Sequence, residues 1–204
     1  MRAKLSLYFP LVLVIFHIIG FVLFTQSDSA SDLTWFNLLL CGTLVFLAEA
    51  NLKHAAFTFV VLFLGGFLIE LVGTKTGYLF GEYAYEDVLG WKVFGVSVII
   101  GVNWFAIVVA ASNVAKLLKL PLFVQALLAG VLCVIIDFAI EPVAIKYGFW
   151  TWAGGDIPLF NYVTWFAFAA LFSYIYLKNS KVINKTAIWL FGVWLVFFMA
   201  LNYV

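Results

Sequence analysis

Apolar residues fill seven runs along the chain, at positions 8–25, 33–49, 55–72, 94–117, 121–144, 162–178 and 186–203, with polar residues gathered in the intervals between them. Each run falls near the about 17 to 25 residues that a helix needs to cross a hydrocarbon core. The pattern predicts an all-α polytopic membrane bundle of about seven transmembrane helices. The intervals are unequal. Most are short, whereas the third (73–93) and the fifth (145–161) are long, aromatic and glycine-rich. No Ser/Gly linker, low-complexity tract or repeat divides the chain, which reads as one integral-membrane domain over 1–204.

Composition agrees with the pattern. The 204 residues are 66% hydrophobic, 20% aromatic and 10% charged, which excludes an ordinary soluble domain. Arg2 and Lys4 give the first run the look of a secretory signal, but the run is long and Ser27-Asp28-Ser29-Ala30 is a poor cleavage site, so it is kept as a span. The eleven Lys and Arg residues fall unevenly on alternate sides. Arg2, Lys4, Lys53, Lys116, Lys119, Lys178, Lys181 and Lys185 share one side; Lys75, Lys92 and Lys146 share the other. Because cytoplasmic loops retain positive charge, the N-terminus is expected inside and the two long loops outside. With a net charge of +1, these basic residues read as topology signals and not as a nucleic-acid surface.

Cys41 and Cys133 sit within spans without paired or metal-ligand spacing and read as packing residues. His17 and His54, the chain's two histidines, form no ligand cluster, which excludes the histidine-rich membrane di-iron enzymes. No metal site is expected.

The acids are less easily set aside. Asp137 and Glu141 lie one helical turn apart in the fifth run and face the same way. An acid at the bilayer centre costs about 2.5 to 3.5 kcal/mol on insertion scales, so such residues usually mark a proton relay, a ligand site or a substrate path. Pro142 disfavours helical geometry at Glu141 and removes the donor for the Phe138 carbonyl, which predicts a kink or helix end and access for water. Glu70 ends the third run, and is equally well read as a helix end in headgroup water. Asn103 and Trp104 fall about 14 Å into the fourth, and Asn161 starts the sixth. Polar side chains from four helices are thus expected at one depth. The third interval, Gly73-Thr74-Lys75-Thr76-Gly77-Tyr78-Leu79-Phe80-Gly81-Glu82-Tyr83-Ala84-Tyr85, looks like a shaped lid or re-entrant segment. Trp91, Trp150 and Trp152, taken singly, read as interface anchors; Glu82, Glu86 and Asp87 read as solvated loop acids; Asn103 reads as an interhelical link. Glu49 is expected to pair with Lys53 at i+4.

Two like-charged carboxyls close together in an apolar setting cannot both ionise cheaply, so one is expected to keep its proton near neutral pH and serve as a general acid. Among Tyr and Trp faces, which attract cations, such an acid can protonate a carbon-carbon double bond. The substrate is then an apolar molecule drawn from the bilayer.

Glu70 to Tyr85, Asn103-Trp104-Phe105, Asp137-Phe138-Ala139-Ile140-Glu141-Pro142-Val143-Ala144, Phe149-Trp150-Thr151-Trp152 and Ile157-Pro158-Leu159-Phe160-Asn161-Tyr162 form an ordered set of motifs. Over roughly 67–166, they resemble the CruF-type carotenoid hydratases of the carotenoid biosynthesis proteins. The resemblance implies a carotenoid 1,2-hydratase, a lyase that adds water across the terminal C1=C2 double bond of an acyclic end group. The product is a tertiary alcohol, and no redox cofactor is used. It implies lycopene, a monocyclic carotene or a longer acyclic carotenoid as substrate, and a bacterial cytoplasmic membrane as location. One departure stands at Gly95-Val96-Ser97, where the family pattern has Gly-Val-Pro; it bears on where the fourth helix starts more than on chemistry.

In the expected mechanism, Asp137 or Glu141 gives the proton. Tyr83, Tyr85, Trp104 or Trp152 faces the tertiary cation, Glu70 or Glu82 positions water, and Asn103 and Asn161 contact the substrate. Rival readings remain open. A carotenoid end-group cyclase starts with the same protonation, and a transporter or pigment-binding protein also uses acids, glycines and aromatics. A prenyltransferase is disfavoured by the lack of paired Asp-rich motifs, and a retinal pump by the lack of lysine within the last span beyond Lys185.

Overall fold

Seven α-helices make up most of the described residues, 5–204, of a computed structural model; Arg2 and Lys4 lie outside that range. They are α1 Phe9–Gln26, α2 Thr34–Ala48, α3 Leu52–Thr76, α4 Ile99–Lys116, α5 Leu122–Lys146, α6 Leu159–Asn179 and α7 Lys185–Leu201. The first six are long and apolar enough to cross a membrane, counting the short 3-10 turn that leads into α2, while α7 has 17 residues. The architecture is an all-α membrane bundle.

Local chemistry sets several helix ends. Asn51 caps α3 by accepting from the backbone of Lys53 at 3.0 Å and His54 at 3.3 Å. Gly77 closes it in a left-handed conformation, φ 68°, with its N–H on the Gly73 carbonyl at 2.8 Å. Asn184 caps α7 through Ala187 N.

The centre of the bundle is α4. Its residues are mostly apolar or small, and it is buried along nearly its whole length, with α3, α5, α2 and α7 around it. Small residues such as Ala106, Ala110 and Ala111 let neighbouring backbones approach. α5 packs most extensively against α6. This pairing brings the Asp137 and Glu141 stretch against the start of α6.

Two expectations about helix limits are corrected. α4 starts at Ile99, after a hairpin of β2 Lys92–Val93 and β3 Val96–Ser97. Asn103 and Trp104 are therefore about 6 to 8 Å into the helix, not 14. α5 does not end at Pro142 but continues to Lys146. Val143 and Ala144 beyond the proline are buried, and this packing outweighs the local cost. The Asn202 amide donates to the Ala139 carbonyl at 3.1 Å, one turn before the proline.

The two long intervals meet at one end of the bundle. β1 Tyr83–Tyr85 pairs antiparallel with β4 Trp150–Trp152, in the register Tyr83 to Trp152, Ala84 to Thr151 and Tyr85 to Trp150. Strand alternation turns the two tyrosines and two tryptophans to one face, leaving Ala84 and Thr151 exposed on the other. Gly81, at φ 107°, lets the chain pass Pro158 so closely that a Cβ there would lie 2.6 Å from the proline ring. Of the segment read as a lid, residues 73–76 complete α3 and residues 83–85 form one strand of a β-ribbon whose other strand comes from the second long loop.

Candidate active site

Three buried acids from two helices converge beneath this ribbon. Glu70 lies in the C-terminal part of α3, and Asp137 and Glu141 lie one turn apart on α5. Asn161, at the third position of α6, bridges the α5 pair. Its side-chain amide donates to Asp137 Oδ2 at 3.1 Å and more weakly to Glu141 Oε1 at 3.4 Å.

The inward face of the ribbon supplies the other donors. Tyr83 and Tyr85 both donate phenol hydrogens to Glu70 Oε2, the latter at 2.7 Å, and Trp104 Nε1 donates to Oε1 at 3.0 Å. Trp150 and Trp152 donate indole N–H groups to Glu141 Oε2 at 3.0 and 2.9 Å. Burial, followed by the neighbouring Glu70 charge, pushes the Tyr83 and Tyr85 phenols well above their ordinary range, so they act as donors at neutral pH. Glu70 and Glu141 each accept from three groups, the set that suits a carboxylate. Asp137 accepts from Asn161 and stands apart in having so few donors.

A cavity of about 20 Å³ lies among these groups. Glu70, Asp137, Glu141 and Asn161 line it, the four ribbon aromatics roof it, and Phe80, Ile100 and Trp165 complete its walls. That volume suits about one water, which needs roughly 10 to 15 Å³ on this measure and several polar partners. Trp165 stacks on Trp104, with ring centroids 3.9 Å apart and planes 9° from parallel.

The structure thus brings together Glu70, Tyr83, Tyr85, Trp104, Asp137, Glu141, Trp152 and Asn161. It leaves out two of the sequence candidates. Glu82 is exposed, with its side chain against Gly77, and Asn103 is buried on α4 but does not line the cavity. Glu141 is not open to water through a helix break: it is only 1% exposed, because α5 stays helical and the indoles cover it.

Sequence reasoning passed over Trp150, Phe80 and Trp165. Trp150, which taken singly reads as an interface anchor, lines the cavity, whereas Trp91 is 90% exposed. The i, i+2 spacing of Trp150 and Trp152 was the available signal. For Trp165 it was the i+4 step from Asn161.

A second polar cluster sits at the other end of the bundle. Glu49 is buried there and accepts from Tyr176 at 2.8 Å, Ser180 at 3.2 Å and Asn184 at 2.8 Å. Lys116 joins the network through Tyr176, Ser180 and Asn113. The expected Glu49 to Lys53 pair does not form among the described residues. Helix α2 ends at Ala48, so the i+4 geometry never arises.

The signature of a family described as carotenoid biosynthesis protein matches residues 33–204. The bisanhydrobacterioruberin hydratase of Haloarcula japonica is 30% identical over 118 residues, covering 55% of this chain and 39% of that protein. The chain therefore spans about two fifths of the length of this curated relative. No solved structure matches. The chain belongs to the carotenoid biosynthesis protein family.

Proposed function

We propose, from this family membership, that the protein is a carotenoid hydratase that adds water across the terminal C1=C2 double bond of an acyclic carotenoid end group, in a bacterial cytoplasmic membrane. The observation that carries the reading is a buried space of one-water size bounded by three acids, two of them saturated with donors. The relative named as a hydratase supports the same reaction class.

The donor pattern supports the following roles. Glu70 and Glu141 act as carboxylates, and Asp137, with the fewest donors, carries the proton. Asp137 protonates C2: its O–H bond breaks, the alkene π electrons form the new C–H bond, and a tertiary cation is left at C1. The faces of Tyr83, Trp152 and Trp165, the last stacked on Trp104, stabilise that cation. Water held between Glu70 and Glu141 forms the C–O bond and gives a proton to Glu141. Asn161, bonded to both members of the α5 pair, holds them in place for the proton's return to Asp137, so one water is consumed and no net proton.

The experiment is expression in a lycopene-producing bacterial host, with mass spectrometry of the pigments. Wild type should give products heavier by one water per reacted end, and Asp137→Asn should give none while inserting normally in the membrane. An isomer of unchanged mass would indicate cyclisation instead, and unchanged pigment across lycopene and a monocyclic carotene would reject the enzyme reading.

A further inference from the structure

The acid cavity, at about 20 Å³, is far smaller than any isoprenoid end group, so the substrate must arrive through a neighbouring space. A crevice of about 240 Å³ lies between α1, α2 and α7. Its walls are mostly apolar, with Phe16, Leu23, Phe24, Leu38, Phe197 and Phe198 among them. One of its residues, Phe149, directly precedes Trp150 of the acid site. The ring of Phe149 is 6.1 Å from that of Trp150, whose indole donates to Glu141 and lines the cavity. A wider furrow of about 690 Å³ between α1 and α7 touches none of the acid-site residues.

We propose that the crevice between α1 and α2 receives the branched isoprenoid chain next to the reacting end, and that the Phe149 side chain is the gate between crevice and acids. This rests on the hydratase reading above. Two further observations carry it. Gly20 of α1 lines the crevice, and a Cβ there would meet Phe197 only at 3.7 Å, an ordinary contact. The glycine is not required by close packing, and its missing side chain keeps the crevice wide. Thr34, on the opposite wall, has a buried hydroxyl without a hydrogen-bond partner, beside Asn37 and His17, which bond each other at 3.3 Å. A saturated lipid tail leaves that hydroxyl unpaired, whereas the tertiary alcohol of a hydrated end pairs with it on the way out. The crevice thus fits a chain that arrives apolar and leaves with one hydroxyl.

The test uses the full chain in phosphatidylcholine/phosphatidylglycerol vesicles with lycopene as probe. Binding is read from the circular dichroism that a protein site induces in the otherwise achiral polyene, and turnover is measured in parallel. Gly20→Leu and, independently, Leu23→Trp should each weaken lycopene binding at least tenfold, with melting temperature unchanged. Thr34→Val should leave lycopene binding as it is and weaken binding of the hydrated product. Wild-type binding and turnover in a folded Gly20→Leu or Leu23→Trp protein would overturn the crevice and place access elsewhere, leaving the hydratase reading intact. Lycopene binding that is lost in the crevice variants, together with no hydrated product from wild type, would retain the crevice and reject the hydratase reading.

Discussion

Replacing Trp152 with phenylalanine separates the two things this side chain offers, an N–H group and an aromatic face. The indole donates to Glu141 Oε2 at 2.9 Å in a buried position, and a hydrogen bond to a charged acceptor contributes about 1.5 to 3 kcal/mol. If all of it bears on the barrier, hydration slows by about tenfold to about 150-fold, since about 1.4 kcal/mol corresponds to one decade. Phenylalanine keeps a π-face over the cavity. Leucine removes it, and the loss of a desolvated cation-π contact adds roughly 0.5 to 2 kcal/mol, a further two- to thirtyfold. Trp150 donates to the same oxygen at 3.0 Å, so the Trp150→Phe, Trp152→Phe double variant should lose more than the sum of the singles. The assay is the initial rate of hydrated product from lycopene in reconstituted vesicles, with a melting curve for each variant. A Trp152→Phe protein as fast as wild type would refute the view that Glu141 must be held by its donors. Equal rates for Trp152→Phe and Trp152→Leu would refute the role of the ring.

Other substitutions probe the remaining parts of the arrangement. Glu82→Gln should hydrate lycopene at close to the wild-type rate, because Glu82 is exposed and outside the cavity; a hundredfold loss by the same assay would return it to the site. Glu49→Ala strands the buried donors of Tyr176 and Asn184 at the far end of the bundle, at about 1 to 3 kcal/mol each, and should lower the melting temperature without changing KM. Gly81→Ala combines a disfavoured positive φ with a collision against Pro158. It should cost about 1 to 3 kcal/mol and show first as faster amide hydrogen exchange in the β1 and β4 backbone.

The bundle was legible because membrane helices announce themselves by length and apolarity, and the seven runs match α1 to α7 with shifts mainly at their ends. The fourth was overextended because Phe94, Val96 and Val98 are as apolar as a helix interior, yet Phe94 at φ 53° and Gly95 at φ 89° turn a hairpin there. Pro142 misled in the other direction: its local penalty is real, but hydropathy alone does not reveal the packing that carries the helix past it. Asp137, Glu141, Glu70 and Asn161 stood out as polar residues in apolar company. What joined them was hidden, because the pairing of Tyr83–Tyr85 with Trp150–Trp152 links segments more than sixty residues apart and neither three-residue strand has a pattern of its own. Without that pairing, Glu82 looked as good a candidate as Tyr83, its neighbour on the opposite side of the strand.

Among the described residues that line the acid cavity there is no lysine, arginine or histidine, and the donors that hold Glu70 and Glu141 are phenols, indoles and an amide, all neutral. With Glu70 and Glu141 as the proposed carboxylates, the walls hold negative charge without a fixed counter-ion. In the proposed mechanism, the species that completes the pocket electrically is a cation that exists only part-way through the reaction, so the resting protein would be built around an ion it does not keep. A lasting ion of the same shape, such as a protonated tertiary amine at the end of an isoprenoid chain, should lodge there more tightly than the alkene it imitates.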